Sequence, residues 1–218
     1  MMVGMGRARA YIGLGSNVGD GPSALAAAIG SVSAIPGARL AAVSDLYETR
    51  PVGLIDQPDF ANAVLALDVP CGPDPAGAAM ALLGALKEVE RSMGRQERPR
   101  WGRREIDLDL LVFGRHALRV ERPAVAGDAD PAGSPDPAKS RVPSQAGGRW
   151  LEVPHPGAAS RLFVLAPIAD LAPGLVPPGW GETVASAMRR AIRVEGADAV
   201  RRAARWDPSR NGWVPYPS

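Results

Sequence analysis

Ile106-Asp107-Leu108-Asp109-Leu110-Leu111-Val112-Phe113 is an apolar run interrupted by two carboxylates and closed by Gly114. Alternation along an extended chain puts Asp107 and Asp109 on one face and Ile106, Leu108 and Leu110 on the other, so the run reads as a strand. Working back from it, residues 75–93 carry Leu82, Leu83, Leu86, Val89 and Met93 on one apolar stripe. That stripe predicts a helix, with Gly94 as its C-cap. Residues 60–67 alternate as a strand, and residues 49–58, with Pro51, Gly53 and Pro58, read as a long irregular loop. Residues 40–47 predict one strand. Residues 23–35 are Ala-rich at helical spacing and stop at Pro36-Gly37, and residues 10–14 form a short buried strand running into Gly-Ser-Asn. The strand at 106–113 completes the order β-α-β-β-α-β. That order predicts an α+β fold, the ferredoxin-like sandwich, with a mainly antiparallel sheet and helices packed on one face.

Beyond this core, residues 124–149 are small, polar and rich in Pro and Gly, too poor in apolar surface to offset their ordering entropy. They are expected to form a disordered insertion. Residues 162–168 are apolar again, and residues 183–194 predict a last helix. The expected organisation is one domain over residues 9–195 and a tail over 196–218. The tail carries Trp206, Trp213 and Tyr216, and its sequence does not decide between surface packing and fraying.

Composition sets the bounds. Hydrophobic residues make up 46% and charged residues 22%, ordinary globular values, while 25 Gly and 22 Pro call for long or numerous loops. No leader with an apolar run and cleavage site is evident, and no stretch is long enough to span a bilayer. The single Cys71 can make no internal disulfide and has no metal-ligand spacing around it, which fits a reducing cytoplasm. The formal net charge of +2 is too small to imply nucleic-acid binding. Its distribution is more telling: Arg91, Arg95, Arg98, Arg100, Arg103 and Arg104 crowd one stretch that is mostly loop. Guanidinium groups offer bidentate forks to phosphate oxygens, so a polyphosphate suits this cluster better than a duplex.

Asp107 and Asp109 are roughly 6–7 Å apart along one strand face and repel each other unless a positive group intervenes. A Mg²⁺ ion, which takes one or two carboxylates and completes its shell with water and phosphates, would relieve that repulsion. A solvated strand face is the bland alternative, and the pair alone supports either. The preceding loop tilts the reading toward metal, because phosphate chemistry needs cations and positioning beside the metal. Trp101 could lie over a heterocycle or ATP, or anchor the loop.

Two features mislead. Gly13-Leu14-Gly15-Ser16-Asn17-Val18-Gly19 resembles a dinucleotide fingerprint, but its last interval is one residue too long and no βαβ unit follows. No Walker A motif is present, so ATP use must come without a P-loop. His116 reads as a surface turn residue. His155, in a Pro-flanked loop followed by Arg161 and Phe163, has company that suits phosphate.

Several segments taken together resemble the 6-hydroxymethyl-7,8-dihydropterin pyrophosphokinases of folate synthesis. They are Tyr11 to Asn17, Tyr47 to Gly53, Asp56 to Asn62, Glu90 with Gly94-Arg95, Trp101 to Asp109, and Val153-Pro154-His155 with Arg161-Leu162-Phe163. The resemblance runs from about residue 10 to about 178, insertion excepted. It implies transfer of pyrophosphate from ATP to the pterin hydroxymethyl group with two Mg²⁺ ions held by Asp107 and Asp109. Arg95 and Arg104 would contact the phosphates, His155 and Arg161 the ATP end, and Glu90 and Trp101 would line the nucleotide site. The pterin would stack between the neighbourhood of Trp101 and Phe163, near Phe60 and Asn62, with its ring edges read by the loop of Thr49, Arg50, Pro51 and Val52. Substrates would be pterin and ATP, with no nucleic acid, no membrane and a monomeric chain. The sequence departs from the family at Phe60, which lacks a hydroxyl often found there, at Lys87 in place of Gln, and at Pro156 in place of Tyr. A catalytically dead binding module and an RNA-binding domain are the alternatives; the second leaves the aspartates unexplained.

Overall fold

A computed structural model of the chain describes residues 6–50, 58–95, 104–122 and 150–216. Strand β4 (Phe60–Pro70) lies at the centre of the main sheet, and nearly all of it is buried. It runs antiparallel to β1 (Arg7–Ser16), with Arg7 opposite Pro70 and Ser16 opposite Ala61. On its other side lie β2 (Arg39–Val43) and β3 (Leu46–Thr49), both antiparallel to it. The run expected as one strand over 40–47 is divided at Ser44. There the Ser44 N–H donates to the Val64 carbonyl at 2.9 Å, and the Ser44 hydroxyl accepts from the Val64 N–H at 2.9 Å. A side chain has taken over one rung of the ladder, which ends one strand and starts the next.

Helix α1 (Gly21–Ser33) begins where Asp20 accepts from the Ser23 N–H, and α2 (Pro75–Ser92) where Asp74 accepts from the Gly77 N–H. Both put their apolar stripes on one face of the sheet. Leu25, Ile29, Leu82 and Leu86 meet Ile12, Leu65, Leu67 and Leu108 there. β5 (Asp107–Phe113) pairs with β1 and forms one border of the sheet. A short hairpin of β6 (Leu118–Glu121) and β7 (Trp150–Val153) follows. The expected insertion at 124–149 falls in its connection and lies outside the described residues.

The expectation of helices on one face is corrected by the second layer. Helices α3 (Leu162–Leu171) and α4 (Val184–Glu195) cover the opposite face, where Leu162, Leu165, Ile168 and Ala187 pack on Tyr11, Tyr47, Val64, Ala66 and Leu111. The physical reason is in the strands themselves: β4 is apolar on both sides, and a two-sided sheet needs cover on both. The segment from Trp206 onward is placed as well. β8 (Val200–Asp207) pairs antiparallel with β3, and β9 (Gly212–Pro215) with β8, so the sheet reads β5-β1-β4-β3-β8-β9. Trp206 and Trp213 meet edge to face at 4.8 Å, and the Trp213 indole donates to the Ser44 carbonyl at 3.0 Å. Arg202 ties β8 to α3 and β3 by donating to Asp170 at 2.5 Å and to the Tyr47 hydroxyl at 2.7 Å. Among the described residues no helix is long and apolar enough to cross a membrane.

Candidate active site

The site lies at the end of the sheet where β5, β1 and β4 stand side by side. Asp107 is paired with Gly15 and Asp109 with Gly13, and Gly15 is in turn opposite Asn62. Directly opposed residues share a face, so the two carboxylates and Asn62 flank a floor of two glycines. Gly15, which the sequence reading put in the loop after residues 10–14, lies within β1 together with Gly13. The register of β5 slips by one residue just beyond, at Leu111. A Cβ on Gly13 would come within 3.2 Å of the Leu111 side chain, a tight approach that the leucine would have to yield to.

Arginine placement follows from the end of α2. Gly94, at φ 83°, donates to the Arg91 carbonyl at 3.1 Å, and Arg95 N–H donates to the Glu90 carbonyl at 3.1 Å. This six-to-one closure turns the chain back on itself, so the Arg95 guanidinium reaches both the Glu90 carboxylate and, at 3.0 Å, Asp107 Oδ1. Arg104 pairs with the other Asp107 oxygen. Its main chain is held by Asn17, whose Oδ1 accepts from Arg104 N–H at 2.7 Å and whose N–H donates to the Arg104 carbonyl at 3.0 Å. Asn17 Nδ2 also donates to the Pro58 carbonyl at 3.4 Å. One buried amide thus fastens the chain at Pro58 and at Arg104, the first described residues after the segments 51–57 and 96–103. Asn17 has no role in the sequence reading beyond membership of a motif, and nothing short of the strand register and loop ends would have revealed one.

Glu90 is 2% exposed. Its carboxylate accepts from Lys87 Nζ at 2.7 Å and from the Leu108 N–H at 2.6 Å, besides pairing with Arg95. The structure therefore brings Glu90, Arg95, Arg104, Asp107 and Asp109 into one cluster, with Glu90 beneath it and turned to the protein. The residues expected on the pterin side form a second group. Thr49 is paired with Phe60, and Asn62 Nδ2 donates to Thr49 Oγ1 at 2.8 Å. Arg50 is exposed just past β3. A third group hangs on β5 through the His155 N–H, which donates to the Leu111 carbonyl at 2.8 Å. A Cβ on Gly157 would lie 3.3 Å from Arg161 Nε and 3.4 Å from His155 Cε1, so these two side chains line one glycine, with the Arg161 guanidinium 5.8 Å from the Phe163 ring centre. Pro51, Val52, Trp101 and the loop arginines Arg98, Arg100 and Arg103 lie outside the described residues.

Burial and the adjacent Asp109 charge push the Asp107 carboxyl up to about 6, against the opposing pull of Arg104, Lys87 and Arg95. A carboxyl raised on folding stabilises the fold while it is protonated. That contribution is full below its unfolded value of about 4 and is lost as pH climbs through about 6. Asp107→Asn removes the titration. In metal-free protein, the melting temperature of this variant relative to the parent is expected to rise steadily from pH 4.5 to pH 7. A difference flat with pH across thermal melts would contradict the assignment.

A search among known proteins places these residues in a lineage. The profile of the 7,8-dihydro-6-hydroxymethylpterin-pyrophosphokinase family matches residues 11–173. A 2-amino-4-hydroxy-6-hydroxymethyldihydropteridine pyrophosphokinase of Pseudomonas aeruginosa is 37% identical over 170 residues, 78% of this chain and 84% of that protein. One from Methylorubrum extorquens is 35% identical over 182 residues, 84% of this chain and 92% of that protein. In fold, the chain is similar to an HPPK-DHPS crystallised with substrates, with a TM-score of 0.65 at 14% identity, covering 96% of this chain. It is similar also to the Plasmodium falciparum HPPK-DHPS with pterin and p-hydroxybenzoate, at 0.62, 12% and 96%. The chain spans about half the length of these solved chains, 48% and 47%.

Proposed function

The chain belongs to the 7,8-dihydro-6-hydroxymethylpterin-pyrophosphokinase family, and from that premise we propose that Asp107, Asp109, Arg95 and Arg104 carry out pyrophosphoryl transfer. The enzyme is an ATP- and Mg²⁺-dependent diphosphokinase of folate biosynthesis, acting on 6-hydroxymethyl-7,8-dihydropterin. The hydroxymethyl oxygen attacks the β-phosphorus of ATP in line. The bond from that phosphorus to the α,β-bridging oxygen breaks, AMP leaves with the electron pair, and the hydroxyl proton passes to solvent. The observation that carries this reading is the pair of carboxylates on one strand face over a glycine floor, with two anchored guanidinium groups against them.

The donor set suits Mg²⁺. It offers hard carboxylate oxygens from a single strand, and among the described residues no cluster of three or more His, Cys, Asp or Glu forms a closed cage. Two Mg²⁺ ions bound by Asp107 and Asp109 would supply charge neutralisation on the phosphates and acidify the attacking hydroxyl. Arg95 and Arg104 act as movable cations. Each faces Asp107 and can turn to phosphate oxygens, while Glu90 and Asn17 keep their backbones in place. His155 and Arg161, side by side at Gly157, are assigned to the far end of ATP. Thr49, Phe60, Asn62 and Phe163 are assigned to the pterin, together with Arg50, Pro51, Val52 and Trp101. No side chain is assigned as general base. The order β5-β1-β4-β3 with α1 and α2 on one face supports reading the core as a ferredoxin-like sandwich, to which α3, α4, β8 and β9 are additions. The chain is taken to act as a monomer.

The test is product identity. Purified chain, ATP, Mg²⁺ and 6-hydroxymethyl-7,8-dihydropterin should give one AMP for each pterin consumed. ADP in place of AMP would indicate an ordinary kinase. Binding of both substrates without product would indicate the inert module.

A further inference from the structure

Among the described residues β5 is a border strand, and no strand there pairs with the outward N–H and C=O groups along it. Leu108, the residue between the two aspartates, is gripped there by side chains. Its N–H donates to Glu90 Oε1 at 2.6 Å and its carbonyl accepts from Lys87 Nζ at 2.9 Å. Lys87 Nζ also donates to the same Glu90 oxygen at 2.7 Å, closing the ring. Both side chains project from one turn of α2, three residues apart, next to Leu86 and Val89 that fix the helix on the core. The pair offers Leu108 what a neighbouring strand would offer: one acceptor and one donor.

The grip falls at a sensitive place. The directions in which Asp107 and Asp109 point are set by the backbone on either side of Leu108, and β5 already slips register at Leu111. We propose that Lys87 and Glu90 are positioning residues, whose joint hold on the Leu108 main chain fixes the two aspartates in the geometry a divalent cation requires. This rests on reading Asp107 and Asp109 as metal ligands. It also gives Lys87, the departure from the residue expected in this family, a role in this chain. Outer partners of metal ligands typically influence affinity by 10- to 100-fold, and this pair acts through the peptide backbone of the ligands themselves.

Lys87→Met removes the ammonium group at similar length, and Lys87→Arg keeps the charge and donors. Leu108 amide hydrogen exchange, followed by NMR in metal-free protein, should quicken about tenfold in the methionine variant and stay near the parent value in the arginine variant. Mn²⁺ affinity, measured by EPR with α,β-methylene-ATP present, should fall about tenfold in the first and recover in the second. KM for the pterin should be unchanged in both. If Lys87→Met does not fold, Lys87→Leu, which also lacks a donor, is read the same way. Parent-like exchange and parent-like Mn²⁺ affinity would overturn the proposal. Faster exchange with unchanged Mn²⁺ affinity would overturn it too, by reducing the pair to an edge cover. If both respond but the parent enzyme makes no AMP, the catalytic reading fails and the grip on the aspartates stands.

Discussion

Asp109→Ala is expected to lower kcat by on the order of 10³-fold or more, with AMP formation as the readout. Asp109 shares a strand face with Asp107, and its negative charge raises the Asp107 carboxyl. Where a carboxylate serves the fold, as Glu90 does with three partners, removing it leaves donors stranded and lowers stability. Where a carboxylate serves only to meet a cation, removing it takes away a repulsion. The metal-free Asp109→Ala variant should therefore melt at or above the parent temperature while being nearly inactive. Loss of activity together with a large drop in melting temperature would count against the site role. Near-normal turnover would end it.

Arg95→Ala should be the next most damaging change, lowering kcat by about 10²- to 10³-fold. Unlike Asp109, Arg95 also serves the fold, because it sits between buried Glu90 and Asp107. Its loss leaves Glu90 with Lys87 and the Leu108 N–H, so the stability cost should be about 1–3 kcal/mol and not a collapse. Both carboxylates are met by one nitrogen, Nη1, which an ammonium can imitate, whereas lysine offers no planar fork to phosphate oxygens. Arg95→Lys is therefore expected to recover most of the stability but little of the rate. Steady-state kinetics and chemical denaturation on the three proteins separate these effects; a lysine variant with full activity would show that a simple positive charge suffices.

The core order was legible because its signals are local. The alternation over 106–113, the stripe through Leu82, Leu86 and Val89, and Gly94 as a helix stop each depend on residues near in sequence. The aspartate pair was legible for the same reason. What sequence could not reveal depends on pairing across the sheet. Gly15 looks like the start of a loop until β5 is laid beside β1 and Gly13 and Gly15 become the floor under Asp109 and Asp107. Ser44 breaks a run that reads as one strand, because its hydroxyl bonds to Val64, twenty residues away. The helix over 183–194 was legible, and α4 bears it out, but its place on a second face was missed because small residues such as Ala66 do not announce that they are covered. The C-terminal hairpin was left open because its anchors, Trp213 on Ser44 and Arg202 on Asp170, are set by long-range contacts. Glu90 enters the nucleotide site by resemblance alone, and its bonds to Lys87, Arg95 and the Leu108 amide depend on packing that sequence does not show.

The central claim is that Asp107 and Asp109 hold the metal on the phosphates of ATP. Anomalous diffraction from crystals grown with Mn²⁺, α,β-methylene-ATP and 6-hydroxymethyl-7,8-dihydropterin tests it most directly. Two manganese peaks within coordination distance of the Asp107 and Asp109 carboxylates, bridging to phosphate oxygens, are predicted. Bound nucleotide with manganese on other side chains, or with Arg95 and Arg104 still closed on Asp107 and no metal beside it, would contradict the claim.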